Sequence, residues 1–373
     1  MNKNLGQYFT ENIELQNKVY EFILNKPRII LEPSVGKGHL IHFINKKIPN
    51  IKFDLYEIDN SLKLIDDLHV IYSDFLYENI CCKYTTIIGN PPYVKRKKKR
   101  NLYLDFIEKC FGLLENNGEL IFIVPSDFFK LTSASLLLIN MMNNGTFTHV
   151  YHPNNEKMFA NASIDVCIFR YCKNINLQQK VLYNNVEKNI IINEGIITFQ
   201  NKISNKYIDE YFHVGVGMVS GKEEVFKNSS YGNIELLNDE NSYEKYIYIE
   251  EFPPENKELE KYLLINKEIL INRKIRKFNE NNWFEWGALR NKSLIDKNLN
   301  KECIYVRNLT RNNKIAFKGK VSYFGGKLII LIPKNNININ NIVDYLNSTA
   351  FKCNYMYSGR FKIGQKQLCK SHI

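Results

Sequence analysis

Arg28-Ile29-Ile30-Leu31-Glu32-Pro33-Ser34-Val35-Gly36-Lys37-Gly38 is a short apolar run that ends in a glycine-containing turn. A run of that length, bounded by turn residues, reads as a buried strand. The pattern recurs down the first half of the chain. Lys52 to Glu57 gives a second strand, His69 to Tyr72 a third, Thr85 to Gly89 a fourth and Leu120 to Val124 a fifth. A helix is expected around Leu62 to Leu64. Leu102, Phe106, Cys110 and Leu113 fall on one face of another, with Asn116-Asn117-Gly118 as its stop. Leu131 to Met142 reads as a further helix, and Phe147 to Tyr151 and Val166 to Tyr171 as closing strands. Repeated strand–helix alternation predicts an α/β fold with a doubly wound, mostly parallel sheet.

After about residue 175 the pattern changes. Asn, Lys, Tyr and Ile dominate, and turn signals interrupt short strands and helices in a mixed α+β pattern. Val214 to Met218 and Tyr323 to Gly326 read as loops or tight turns. The expected division is a catalytic domain over 1–180 and a recognition domain over 181–373. A chain of 373 residues has room for both. Hydrophobic content of 44% is too high for a disordered chain. No apolar run approaches the roughly 20 residues that span a bilayer, and the N-terminus lacks the apolar region of a signal peptide. A soluble, cytoplasmic protein is expected (or one inside a host cell, if virus-encoded), with no membrane contact. The 8 cysteines form no CxxC pair and the 7 His are scattered, so neither a metal site nor a disulfide framework is expected.

The net charge of +12 is unevenly spread. Residues 1–172 carry 20 basic and 18 acidic side chains, and residues 173–260 carry 9 and 15. Residues 261–373 carry 22 and 6, a net of +16. A basic segment beside a near-neutral one points to a polyanion partner, most often nucleic acid.

Four motifs carry chemistry. Glu32-Pro33-Ser34-Val35-Gly36-Lys37-Gly38 closes the first strand, where open α/β sheets bind ligands. Gly36 and Gly38 let backbone approach a ligand closely. The third glycine of a dinucleotide fingerprint is missing, because Ile41 stands there, and no Walker lysine pattern occurs. Glu57 closes the second strand, where a carboxylate can accept from both ribose hydroxyls. Asp74 and Phe75 follow the third strand; the carboxylate suits an adenine amino group and the ring a purine face. Together these describe an adenosine pocket without a phosphate cradle, the shape of an S-adenosylmethionine site.

Asn90-Pro91-Pro92-Tyr93 follows the fourth strand and is the most specific of the four. Two prolines make a stiff, extended loop. Stiffness would fix the Asn90 side-chain oxygen and the Pro91 carbonyl as paired acceptors for one NH2 group. They would stabilise the positive charge that a planar nitrogen gains on methylation. Tyr93 offers a ring on which a planar substrate can stack.

This order of motifs resembles the N6-adenine DNA methyltransferases of type II restriction–modification systems, in the gamma arrangement with the recognition domain C-terminal. Gly6-Gln7-Tyr8-Phe9-Thr10 resembles the family's N-terminal cofactor segment, whose threonine meets the methionine carboxylate. Asn101-Leu102-Tyr103 with Phe106 resembles the helix start whose Phe packs on the cofactor adenine. Glu156-Lys157-Met158-Phe159 resembles the segment whose aromatic residue holds the flipped base, so Phe159 would face Tyr93 across the target adenine. The likeness is strong over 6–172 and weaker at Val214 to Phe226 and Tyr357 to Ile373. It is nearest to the enzymes that modify TCGA. In some relatives a long loop follows the tetrapeptide; here Lys95 to Arg100, a basic run, stands there and is expected to contact phosphate.

The resemblance implies an adenine-specific DNA methyltransferase. It would use S-adenosylmethionine, act as a monomer on double-stranded DNA, flip the base and transfer methyl by direct attack. It would protect DNA from a cognate restriction endonuclease acting separately. The same tetrapeptide also serves enzymes that methylate the glutamine side chain of translation termination factors. In those the extra domain usually precedes the catalytic one. RNA adenine methylation is the other alternative.

Overall fold

The computed structural model describes residues 7–94, 100–160, 162–174, 179–201 and 206–373. The chain divides into two compact units, residues 1–203 with 357–359, and 204–356 with 360–373.

The first unit runs α1 (Ile13–Phe22), β1 (Ile29–Glu32), α2 (His39–Lys47), β2 (Lys52–Glu57), β3 (Val70–Tyr72), β4 (Tyr84–Gly89), α3 (Leu102–Leu113), β5 (Leu114–Pro125), α4 (Ser135–Asn143), β6 (Gly145–Tyr151) and β7 (Val166–Lys173). Three further strands follow, β8 (Lys180–Tyr183), β9 (Val186–Asn193) and β10 (Ile196–Gln200). They form one sheet in the order β10-β9-β8-β6-β7-β5-β4-β1-β2-β3. β3, β2, β1, β4 and β5 are mutually parallel, while β7 is antiparallel to both β5 and β6. The strand order reverses between β1 and β4, which makes that junction the topological switch point.

Side chains of a strand alternate between faces, and the core follows that alternation. Leu31, Ile87, Leu120, Phe122 and Phe169 pack with α3 and α4 on one face. Ile30, Ile88, Ile121, Ile123 and Ile168 pack with α1 and α2 on the other. Covered on both faces, these strands can be apolar throughout, as their sequences are. A buried ion pair crosses the sheet: Arg170 Nε donates to Glu119 Oε2 at 2.7 Å. Glu119 also accepts from the backbone of Leu24 and Asn25 and from the Thr86 hydroxyl. It thereby ties the chain after α1 to the middle of the sheet.

Several expectations need correction. Leu62 to Leu64 is not helical. Leu62, Leu64, Leu68 and Val70 are half-buried and alternate with exposed residues, the period of extended chain. Ile65 N–H donates to the Lys37 carbonyl, tying this segment to the glycine turn. α3 stops at Leu113, well before Gly118, and β5 starts at the next residue. Asn117, not Gly118, takes the left-handed conformation. In the helix expected from Leu131, Leu131 itself is extended, Thr132–Ala134 is a 3-10 turn and the α-helical part starts at Ser135. The first unit also extends past residue 180. β8 pairs with β6, and Phe199 of β10 packs edge-on against Phe129 at 4.9 Å.

The second unit is built on a four-stranded antiparallel sheet. Its order is Phe212–Val216, Leu328–Pro333, Glu302–Arg307, Ala316–Lys320. Val214-Gly215-Val216, expected in a loop, therefore lies in a strand, paired with Ile329 to Leu331. Ile304, Val306, Ile329 and Leu331 face one apolar cluster, and Cys303, Tyr305, Leu328 and Ile330 another. A third cluster gathers Phe226, Trp283 and Trp286. Among the described residues no helix is long and apolar enough to cross a membrane.

Candidate active site

The loops that leave the C-terminal ends of β1, β2, β3 and β4 converge on one cavity of about 260 Å³. Pro33, Gly36, Glu57, Asp74, Phe75, Asn90, Pro92 and Phe106 line it, together with Gln7, Tyr8 and Phe9 from the N-terminal segment. A smaller pocket beside it is lined by Thr10, Glu32 and again Asn90. All four motifs and the N-terminal segment thus meet at the switch point. Gly38 caps α2 in a left-handed conformation and lines neither pocket.

The glycine turn is fixed by Glu57. Gly36 N–H donates to Glu57 Oε2 at 2.8 Å, and the N–H groups of Ile58 and Asp59 donate to Oε1 at 3.0 Å. Three of the carboxylate's roughly four acceptor positions are so occupied. Burial pushes the Glu57 carboxyl up, against the pull of these bonds to keep it charged. Gly36 has φ +59, and a Cβ there would lie 3.1 Å from the Phe9 ring. Phe75 and Phe106 stack on each other, centroids 5.7 Å apart and planes 15° apart. They form one wall of the cavity rather than two sides of a slot.

Glu32 connects the glycine turn to the tetrapeptide. It is 2% exposed. Burial drives its carboxyl well above the ordinary range, although the backbone N–H groups of Asn90 and Ser34 bond to it. A Cβ on Gly89 would meet Glu32 Oε1 at 2.7 Å, so the strand end before Asn90 has no room for a side chain.

Asn90 is held from three sides. Its Nδ2 donates to the Tyr8 carbonyl at 2.7 Å and to Thr10 Oγ1 at 3.1 Å. Its Oδ1 accepts from the Tyr93 hydroxyl, which also lies within bonding distance of the Ile123 carbonyl. Burial pushes the Tyr93 phenol well above its ordinary value, so it remains a donor. Pro91 is buried behind the loop, while Pro92 reaches the cavity.

Phe159 and Tyr93 come together, but not as two parallel walls. Their centroids are 6.4 Å apart with planes at 71°. A base sandwiched between parallel rings needs about 7 Å, twice the contact distance of carbon atoms. Tyr8 instead lies stacked on Tyr93, 5.2 Å away at 24°, and packs on Phe159 at 5.6 Å. No local pattern marks the place of this third ring against Tyr93, since Tyr8 sits in irregular chain with no periodicity to read. The loop that carries Phe159 is pinned at both ends. His152 Nε2 lies 3.0 Å from Asp165 Oδ2, which also accepts from the Ser126 hydroxyl. Of the basic run, Lys95 to Lys99 lies outside the described residues. Arg100 is engaged by Asp105 at 2.6 Å and by Glu108, not turned to a phosphate.

The residues present suit S-adenosylmethionine. Carboxylates, an aromatic wall and a glycine turn surround the cavity, without the phosphate cradle of a nucleotide triphosphate. Glu32 Oε1, Ser34 Oγ and Ser73 Oγ are buried there without a hydrogen-bond partner. Buried polar atoms of this kind are normally satisfied, so a polar ligand belongs beside them. A doubly wound sheet with such a cavity over its switch point is the fold of the S-adenosylmethionine-dependent methyltransferases.

Comparison with known proteins narrows the class. Residues 31–159 match the model of the Eco57I restriction-modification methylase family. The type II methyltransferase M.HindII of Haemophilus influenzae is 27% identical, over 96% of this chain and 86% of its own. M.HincII, also from Haemophilus influenzae, is 32% identical over 52% of this chain and 42% of its own. Among solved structures, the type IIL restriction-modification enzyme MmeI in complex with DNA superposes with a TM-score of 0.59. That match is 9% identical and covers 96% of this chain and 64% of MmeI, so it speaks for the fold alone. By these matches the chain is similar to type II restriction–modification methyltransferases.

Proposed function

We propose that the chain methylates DNA at N6 of adenine within a short duplex sequence, as the modification half of a restriction–modification system. The observation that carries this reading is the Asn90 carboxamide. It is anchored through Nδ2 with its Oδ1 directed to a hydroxyl donor, between the cavity and a cluster of three aromatic rings. An acceptor fixed beside stacking surfaces suits a planar NH2 group on an aromatic base.

When bound, S-adenosylmethionine supplies an electrophilic methyl group on its sulfonium. Glu57, Asp74, Phe75, Phe106 and the Gly36 turn would hold its adenosine part, and Thr10 its methionine carboxylate. The target amino group lies inside the duplex and is reached by flipping the adenine out. Stacking on Tyr93 and contact with Phe159 offset part of the unstacking cost, at about 1–3 kcal/mol per aromatic contact. Asn90 Oδ1 takes one amino hydrogen in place of the Tyr93 hydroxyl, and the Pro91 carbonyl takes the other. Both acceptors favour the positive charge that grows on nitrogen, and because they are fixed beforehand they add little reorganisation. No residue here has to remove a proton before the nitrogen reacts. The basic C-terminal segment reads the bases and holds the phosphates.

The test is incubation with plasmid DNA and methyl-labelled cofactor, followed by mapping of modified bases. N6-methyladenine at one short sequence is expected, and the same map reads whether that sequence is TCGA. Label only on RNA, or only on a protein glutamine, would overturn the DNA reading.

A further inference from the structure

Arg273-Lys274-Ile275-Arg276-Lys277 is an irregular segment of the second unit, between Leu270 and Phe278. Irregular chain on a surface is normally loosely held. This one is fixed from beneath. Arg273 is buried, and no carboxylate bonds to its guanidinium among the described residues. Its Nε donates to the Leu270 carbonyl at 2.7 Å and Nη1 to the Ser220 carbonyl at 2.6 Å. Nη2 donates to the carbonyls of Trp283 and Glu285 at 2.6 and 2.9 Å. One side chain thus joins three stretches of backbone. Its hydrogen bonds go to carbonyl dipoles; burial with the neighbouring Arg276 outweighs the Glu285 carboxylate and draws its pKa down to about 10, still protonated at neutral pH.

The run is also clamped from its sides. Phe278 lies against both guanidinium groups, its ring centre 3.8 Å from Arg273 and 4.6 Å from Arg276. Ile275 is seated over two glycines; a Cβ on Gly221 or Gly287 would stand 2.9 or 2.7 Å from its Cγ2. Arg276 pairs with Glu285 at 2.5 Å. Lys274 and Lys277 are exposed and have no ion-pair partner among the described residues.

Burying an unpaired guanidinium is costly, and the same carbonyls could be satisfied by neutral groups. What the arginine adds is positive potential under a fixed loop that already presents two free ammonium groups. We propose that the 273–277 loop is a phosphate-contact surface for duplex DNA, with Lys274 and Lys277 as the contacting groups and Arg273 as the residue that positions them. This rests on the reading of the chain as a DNA methyltransferase.

The test measures equilibrium binding of the full chain to a labelled duplex across a series of salt concentrations. Each phosphate contact contributes about 0.9 to the slope of log affinity against log salt. The Lys274→Gln/Lys277→Gln double variant is expected to flatten the slope by about 1.8. Lys274→Arg/Lys277→Arg should restore it, and S-adenosylmethionine affinity should not change in either. A steep wild-type slope that the glutamine variant leaves intact would overturn the loop assignment alone. A wild-type chain that binds RNA but not duplex DNA would overturn the DNA reading, and the loop assignment with it.

Discussion

The ring of Tyr8 lies on the ring of Tyr93, with centroids 5.2 Å apart and planes 24° apart. Tyr8 therefore covers the face on which the proposed mechanism stacks the target base. A ring pair of this kind contributes about 0.5–1.5 kcal/mol, and an entering base has to separate it. Tyr8→Ala should tighten binding of the chain to its duplex by about two- to tenfold, the same energy expressed as affinity. Tyr8→Phe should leave binding unchanged. Fluorescence anisotropy measures both; weaker binding by Tyr8→Ala would mean that Tyr8 supports the base rather than standing in its place.

Glu32 makes stability depend on pH in an unusual direction. Burial raises its carboxyl in the folded chain above its ordinary value of 4.5. The folded state then binds more protons than the unfolded one, so this contribution is full below 4.5 and is lost as pH rises toward the raised value. Glu32→Gln removes the titration and keeps an acceptor for the Asn90 N–H. The variant's melting temperature relative to wild type should climb between pH 5 and 9. Parallel melting curves across that range would count against the account.

Asp165 shows the opposite sign. Burial raises its carboxyl, but the bonds from His152 and Ser126 outweigh that and hold it below 3.8. Its stabilising contribution is present above 3.8 and fades as pH falls through the lowered value. Asp165→Asn should be less stable than wild type at pH 7, with the gap closing in acid. Because Asp165 ends the loop that carries Phe159, the variant should also raise the KM for DNA more than it lowers kcat.

The Arg170–Glu119 pair is a stability device. Arg170→Met leaves a buried carboxylate with only neutral donors around it, a loss of about 3–5 kcal/mol. Urea denaturation should show it as a lower midpoint with an unchanged slope.

The strands of the first unit were legible because they are buried on both faces, so Ile30-Leu31 and Ile87-Ile88 stand out as unbroken apolar runs. The glycine turn and the tetrapeptide were legible because each follows such a strand, whereas Asp74 and Phe75 follow β3, an exposed edge strand. Leu62 and Leu64 misled, because spacing by two is the period of extended chain and not of a helix. β8 to β10 were missed because β8 and β9 lie far from the sheet's centre and show exposed, polar positions, as in the burial of Val186 to Asn193. Tyr8 and the carbonyl cage around Arg273 depend on tertiary contacts that leave no local pattern.

An Asn90 that acts on the target amino group and not on the cofactor should be needed for transfer but not for cofactor binding. The most direct measurement pairs single-turnover methyl transfer with calorimetric S-adenosylmethionine binding in the Asn90→Ala variant. Transfer is expected to fall at least about a hundredfold, the scale of losing a preorganised oxygen or N–H group at a developing charge, with cofactor binding retained. Near-normal transfer by Asn90→Ala would contradict that role.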